Sequence, residues 1–323
     1  MLKEISIEIL QRCPNRCIYC SSHSNPSATN MIPFSVITAV LDDVKRLGCE
    51  TICISGGEPF LHPQITDIVR YVKMLGMTVY VYTSGIYLNA DNVYMSLPNE
   101  LIESIRGTVD KIIFNVEADI PALYNMIMGT DVGGFELMKK SISDCVVCGI
   151  NVEAHVVPMK LNFMQIESIF KMCYSLGVSK VSILRLVMQG RALEKAESVL
   201  LNDDDNVCVL KKISNLCNEY KGKVRIGLPY SDGGCKLYCK AASEKINIRY
   251  DGRVYPCEVF KDDLQNLIFK SEPDNIYNMS FCELFEKSIY LNQVRSYIDR
   301  FKHNSCAESC IGQYMLNQLN LRK

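Results

Sequence analysis

The sequence lacks an excess of either charge: 35 Lys plus Arg stand against 36 Asp plus Glu, a formal net charge of -1 over 323 residues. That leaves no global field to hold a polyanion, so nucleic-acid binding is not expected. No run of 18 apolar residues occurs, so no membrane-spanning helix is expected. The opening MLKEISIEIL alternates polar and apolar residues like a strand, without the apolar core of a secretory signal. A cytoplasmic protein is expected. Tryptophan is absent, and histidine is limited to His23, His62, His155 and His303. His23 and His62 lie close to the motifs below, but neither has a partner visible in the sequence. Internal repeats and low-complexity segments are also missing. A composition of 48% hydrophobic and 22% charged residues fits an ordinary globular chain, long enough for about two domains or a barrel with an appendage. What stands out is cysteine, at sixteen residues. In a reducing compartment, clustered thiols ligate metal or do chemistry more often than they form disulfides.

From residue 3 to about residue 219, Ile- and Val-rich runs alternate with longer amphipathic segments, the pattern of βα units around a parallel sheet. Strands are expected at 4–10, 51–55, 77–83, 111–116, 151–157 and 180–186. Helices are expected at 33–47, 64–75, 99–105, 135–148, 163–176 and 207–220. Gly48, Gly76, Gly149 and Gly177 follow four of them as stops, and Pro33 suits a first helical position. Six units are fewer than the eight of a closed barrel, so an α/β fold with a partial (β/α)6 TIM-like barrel over residues 1–220 is expected. Reactive groups of such folds project from the C-terminal ends of the strands. The unusual polar clusters fall there: Cys13, Cys17 and Cys20 after the first strand, Ser55-Gly56-Gly57-Glu58-Pro59 after the second, Thr83-Ser84-Gly85 after the third, and Asn115 to Glu117 at the fourth.

Cys13, Cys17 and Cys20 form C-x3-C-x2-C on a loop with Pro14 and Asn15. Thiolates are the usual ligands of iron–sulfur clusters, and a four-iron cluster takes four. Three local thiols leave one iron open to a small molecule, as three protein ligands leave a catalytic zinc open. A zinc site, or buried cysteines acting as small hydrophobes, are the simpler alternatives.

The triplet, with aromatic Tyr19 just before its last cysteine, and the Gly-Gly-Glu-Pro run at the second strand end resemble the two signatures of the radical S-adenosylmethionine superfamily. Thr83-Ser84-Gly85 is similar to that family's Thr-Asn-Gly, and Asn115-Val116-Glu117-Ala118 stands where many members have Ser-Leu-Asp-Gly. Gly190-Arg191-Ala192 resembles a Gly-Arg-Ala found in members with cysteine-rich extensions. The resemblance implies that Cys13, Cys17 and Cys20 hold a [4Fe-4S] cluster whose open iron is chelated by S-adenosylmethionine. It also implies a cofactor site lined by Tyr19, Gly56, Gly57, Glu58, Pro59, Ser84, Asn115, Glu117 and Arg185. There the two glycines let the backbone approach closely, Glu58 faces the cofactor ammonium, and Arg185 faces its carboxylate.

Past residue 220 the βα rhythm stops, and residues 221–323 read as a small cysteine-rich domain. Two short strands around Asp251-Gly252 form a hairpin ending at Cys257. Cys239, Gly252 and Cys257 give C-x12-G-x4-C, with Cys306 and Cys310 further on. This resembles the SPASM or twitch extension of the same superfamily, in its shorter form. The resemblance implies one auxiliary [4Fe-4S] cluster on Cys239, Cys257, Cys306 and Cys310, with Cys235 and Cys282 as rivals. A zinc ribbon would need no more than four such cysteines. Cys49, Cys53, Cys145, Cys148, Cys173, Cys208 and Cys217 read as core residues.

The resemblance implies a radical oxidoreductase that cleaves S-adenosylmethionine to a 5'-deoxyadenosyl radical and abstracts a substrate hydrogen atom, with a flavodoxin or ferredoxin as electron donor. Peptide or protein side-chain modification is the expected reaction. Because a strand opens within five residues of Met1, any leader peptide would be bound by a separate protein. The alternatives are oxidation of a sugar or cyclitol alcohol, and a cluster-bearing sensor without turnover. An intact Gly-Gly-Glu-Pro would be superfluous in a sensor.

Overall fold

The computed structural model describes residues 1–130, 133–227, 239–261, 268–301 and 310–312. Its centre is a row of parallel strands: β1 (Glu4–Glu8), β2 (Thr51–Ser55), β3 (Thr78–Thr83), then, past a two-stranded hairpin of β4 (Ile86–Leu88) and β5 (Tyr94–Ser96), β6 (Lys111–Asn115), β7 (Val152–Val156) and β8 (Lys180–Ile183). These are the six expected strands, and they form the partial barrel. The row continues at both ends. On one side β9 (Val224–Ile226) pairs in parallel with β8. On the other, β10 (Lys245–Ile248) pairs in parallel with β1, and β11 (Val254–Tyr255) returns antiparallel. The order β11-β10-β1-β2-β3-β6-β7-β8-β9 leaves the barrel open.

The strands are Ile- and Val-rich because helices cover their outer face. Ile5, Ile7, Ile52, Ile54, Val79 and Val81 are all at most 2% exposed. The covering helices are α1 (Phe34–Arg46), α2 (Ile65–Met74), α3 (Asn99–Ile105), α4 (Pro121–Met128), α5 (Gly134–Val147) and α6 (Ile166–Ser175). Two short turns follow, α7 (Arg191–Glu194) and α8 (Ala196–Val199), before α9 (Asp203–Glu219). Beyond the β10–β11 hairpin come α10 (Phe281–Lys287), against α1, and α11 (Ile289–Phe301). The inner face is polar: Glu4, Ser6 and Glu8 alternate with the isoleucines of β1.

Several boundaries differ from expectation for local reasons. α9 starts four residues early because Asn202 caps it, its side chain accepting from Asp205 N–H while the Asp205 carboxylate takes Asn202 N–H. Pro33 precedes α1 in an extended conformation instead of opening it. The expected 163–176 helix begins with a turn of 3-10 helix before α6. Among the cysteines expected in the core, Cys208 and Cys217 on α9 are only half-buried, while the other five are buried. Among the described residues, no helix is long and apolar enough to cross a membrane.

Candidate functional site

The loop that carries Cys13, Cys17 and Cys20 has little regular structure, so its peptide groups find partners elsewhere. Cys13 N–H donates to Asn25 O at 3.1 Å, and Ile32 N–H returns to Ile9 O at 2.9 Å. The C-terminal end of α4 takes Arg16 N–H on Met128 O at 3.0 Å and Ile18 N–H on Ile127 O at 2.9 Å. From the β2 side, Gly57 N–H donates to Leu10 O at 2.7 Å and Glu58 N–H to Arg12 O at 2.9 Å. This contact is so close that a Cβ on Gly57 would lie 2.1 Å from Arg12 O, which no side chain tolerates. The glycine pair thus first serves to seat the cysteine loop on the β2 end.

All three thiols are free, Cys13 buried and Cys17 and Cys20 half-buried. Burial pushes the Cys13 and Cys17 thiols up, and the neighbouring thiols push them further, which places the three in electrostatic reach of one another. Asn15, fully buried in the same loop, leaves both side-chain polar atoms unpaired. Among the described residues, no three His, Cys, Asp or Glu side chains gather tightly enough to hold a single metal ion.

Glu58 is buried and joins two strand ends. One carboxylate oxygen accepts from Thr83 O–H at 2.7 Å and Phe60 N–H at 3.4 Å; the other accepts from Ser84 N–H at 2.9 Å and Ser84 O–H at 2.7 Å. Burial nevertheless outweighs these donors and pushes its pKa up to about 7. Pro59 opens the 3-10 turn that Glu58 caps. Glu117, also buried, accepts from Tyr19 O–H and Val157 N–H, each at 2.9 Å, and burial pushes it up to about 7 as well. Asn115 is half-buried at the end of β6. Arg185, half-buried past β8, has no hydrogen-bond or ion-pair partner among the described residues. His62 proves structural: its ring nitrogens meet Ile32 O and Gln64 N–H, both at 3.1 Å.

The second cysteine group flanks the β10–β11 hairpin, with Cys239 before it and Cys257 after it. Cys257 is pushed up chiefly by burial, then by Glu258, Cys239 and Cys310, so three of the four expected thiols are neighbours. Cys306 lies outside the described residues, as does the rival Cys235. Cys282 takes another environment, its N–H donating to the Asp43 carboxylate at 3.1 Å and its thiol to Asp43 O at 3.5 Å.

Some contacts were not readable from the sequence. Arg191 reaches the cysteine loop, with Nε donating to Cys17 O and Nη2 to Ser24 O, both at 2.8 Å. Lys261 forms a buried ion pair with Glu8. The Gly-Arg-Ala run was the only signal for the first, and nothing in the local sequence marks the second.

The model of the Radical SAM superfamily matches residues 7–194. Among curated proteins, the chain is 25% identical over 298 residues to the tungsten-containing aldehyde ferredoxin oxidoreductase cofactor-modifying protein of Pyrococcus furiosus, covering 89% of this chain and 80% of that protein. It is 23% identical over 305 residues to the PqqA peptide cyclase of Gluconobacter oxydans, covering 89% and 77%. Among solved structures, Streptococcus suis SuiB bound to S-adenosylmethionine superposes with a TM-score of 0.71 at 15% identity, over 92% of this chain and 68% of that one. Native anSMEcpe with bound AdoMet superposes with a TM-score of 0.67 at 14% identity, over the whole of both chains. At these identities the structures show a shared fold.

The two raised carboxyls set a pH dependence. The folded chain holds protons on Glu58 and Glu117 up to about pH 7, while the unfolded chain gives them up near ~4.3. Their contribution to stability is therefore fully present below about pH 4.3 and is lost as pH rises through about 7. Urea unfolding of the cofactor-free chain across this window should show that loss. A variant carrying Glu58→Gln and Glu117→Gln should show a flatter profile; an unaltered slope would mean that both carboxyls are ionised in the fold.

Proposed function

Because the chain belongs to the radical SAM superfamily, enzymes built on a [4Fe-4S] cluster and S-adenosylmethionine, we propose that Cys13, Cys17 and Cys20 hold that cluster and that the chain is an oxidoreductase modifying a peptide or protein side chain. One observation carries the reading: three free thiols on a loop seated directly on Gly56–Glu58, at the C-terminal ends of β1 and β2. The donor set suits the group, since three free thiols share one loop, their neighbours raise the pKa of Cys13 and Cys17, a bound cationic centre would relieve that repulsion, and Asn15 leaves unpaired polar atoms in the same loop. When bound, the cluster and S-adenosylmethionine supply reductive cleavage of the sulfonium C–S bond, and with it a 5'-deoxyadenosyl radical that takes a hydrogen atom from substrate.

The protein's part is placement. Glu58 offers a carboxylate to the cofactor ammonium, held by Thr83 and Ser84 so that it need not reorient. Tyr19 and Glu117 brace each other across the barrel mouth, and Asn115, which ends β6, is assigned to the cofactor ribose. Arg185 carries a cation with no protein partner among the described residues, suited to the cofactor carboxylate. The group of Cys239, Cys257 and Cys310, completed by Cys306, is assigned an auxiliary [4Fe-4S] cluster in a SPASM- or twitch-like unit over residues 221–323. A flavodoxin or ferredoxin would deliver the electron. Two likenesses support a peptide substrate. PqqA peptide cyclases are relatives, and the SuiB and anSMEcpe folds have been solved with precursor peptide SuiA and with Cp18Cys peptide.

Anaerobically prepared chain should hold about eight iron, the sum of two four-iron clusters. Replacing Cys13, Cys17 and Cys20 together by Ala should roughly halve this. Stoichiometric zinc, with no reducible cluster by paramagnetic resonance, would overturn the reading.

Glu58→Gln should keep the iron and weaken S-adenosylmethionine binding ten- to a hundredfold, about 1.5–3 kcal/mol, because a charged acceptor becomes neutral. Calorimetric titration decides it, and unchanged affinity removes Glu58 from the cofactor site.

Cys257→Ala should still form 5'-deoxyadenosine from S-adenosylmethionine and dithionite while product formation falls much further, because the cysteine loop is untouched. Iron content and circular dichroism come first, since a cluster-dependent unit can unfold with its metal. A folded variant unable to cleave S-adenosylmethionine would refute this division of labour; one making product at the normal rate would make the second site structural.

A further inference from the structure

The two cysteine groups are stitched together by side chains that neither group contributes. Arg191 holds the first loop at three carbonyls: its backbone N–H donates to Cys20 O at 3.0 Å, and its guanidinium spans Cys17 O and Ser24 O. Gly190 is pressed against the same backbone. A Cβ there would sit 2.6 Å from Cys20 O, and the residue has φ of +55°, so no side chain fits. The residue before it, Gln189, is 1% exposed and donates from Nε2 to Val259 O, two positions past Cys257. A second stitch starts from the same turn. Lys261 Nζ donates to the Glu8 carboxylate and, at 3.0 Å, to Ser22 Oγ, which lies 239 positions away in sequence. Ser22 O–H completes the triangle on Glu8 at 2.8 Å. Lys261 and Glu8 are both buried.

We infer that the turn at residues 257–261 is a brace for the first cysteine loop, acting through Gln189 and Arg191 on one side and Lys261 on the other. Gln189, Arg191, Lys261 and Glu8 are positioning residues. The guanidinium fork holds its Nε and Nη2 donors in one rigid plane that matches Cys17 O and Ser24 O, whereas a lysine ammonium is a point charge on a flexible stem. A buried lysine–carboxylate pair adds little net stability compared with apolar residues, but it fixes one register between the elements it joins. The brace itself needs no metal. Its consequence, a fixed spacing between two clusters, rests on the cluster reading above.

Hydrogen exchange with mass spectrometry on the full, anaerobically isolated chain tests it without requiring iron. Gln189→Ala removes one stitch. Glu8→Gln with Lys261→Met removes the other while leaving no buried charge unpaired. Each should speed exchange at residues 18–24 about tenfold, and the combination more, with β2 and β3 unchanged. Lys261→Arg, which keeps charge and donors, should retain protection, whereas Arg191→Lys should not. In iron-loaded chain, the reduction potential of the first cluster should shift in the unbraced variant and stay at the parent value with Lys261→Arg. Parent-like exchange at residues 18–24 in the combined variant overturns the brace. Should that variant also lose protection in β2 and β3, Gln189→Ala alone decides, since it removes one neutral donor, and unchanged loop exchange there overturns it equally. Absence of iron would instead count against the proposed function and leave the exchange result standing.

Discussion

Few peptide groups of the cysteine loop satisfy one another, and much of the molecule is arranged around that fact. This segment of about twenty residues, which carries three thiols, has almost no helix or strand, so most of its amides and carbonyls need partners from outside. They come from β2 through Gly57 and Glu58, from the end of α4 through Ile127 and Met128, and from Arg191. Each partner stands at the end of a different barrel element. The barrel therefore serves less as a container than as a ring of fixed hydrogen-bonding groups around one irregular loop.

The same economy appears in the buried carboxyls. Glu58 and Glu117 each tie neighbouring strand ends, one to Thr83 and Ser84, the other to Tyr19 and Val157. Leaving a carboxyl in a dry place raises its pKa, and full sets of donors are what such burial requires. Rigidity at the barrel mouth and a tuned carboxyl are thus produced by one set of contacts. A cofactor entering there, as proposed, would meet groups whose orientation is already fixed, which is where electrostatic preorganisation has its value.

The parts readable in the sequence were those with local causes. Ile- and Val-rich runs marked the six central strands, Asp251-Gly252 marked the hairpin, and short cysteine spacings marked both thiol groups. What escaped was decided at a distance or by weak patterns. Nothing in residues 245–248 says that they pair with β1. The eight residues of α4 bury Tyr124, Ile127 and Met128 with too little amphipathic contrast to announce a helix. Tyr19 and Glu117, separated by 98 positions, had separate meanings until the fold brought them together. Glu117 also shows the limit of motif matching: the motif position named the residue, but only the structure shows the tyrosine and the amide that occupy it.

Pairing β1 with β10 also has a bearing on the order of events during synthesis. At roughly 5–20 residues per second, a ribosome takes about 12–50 s to make the stretch separating those two strands. During that interval β1 presents an open edge, and an open edge pairs readily with other chains. The thiols of the first loop are by then already made, yet neither Lys261 nor Val259 exists to steady them. A nascent chain in this state offers three mobile thiols to any metal or oxidant it meets. The loop gains the contacts of Lys261 and Val259 only once translation has passed the hairpin, which makes the C-terminal part of the polypeptide a timer for the first loop.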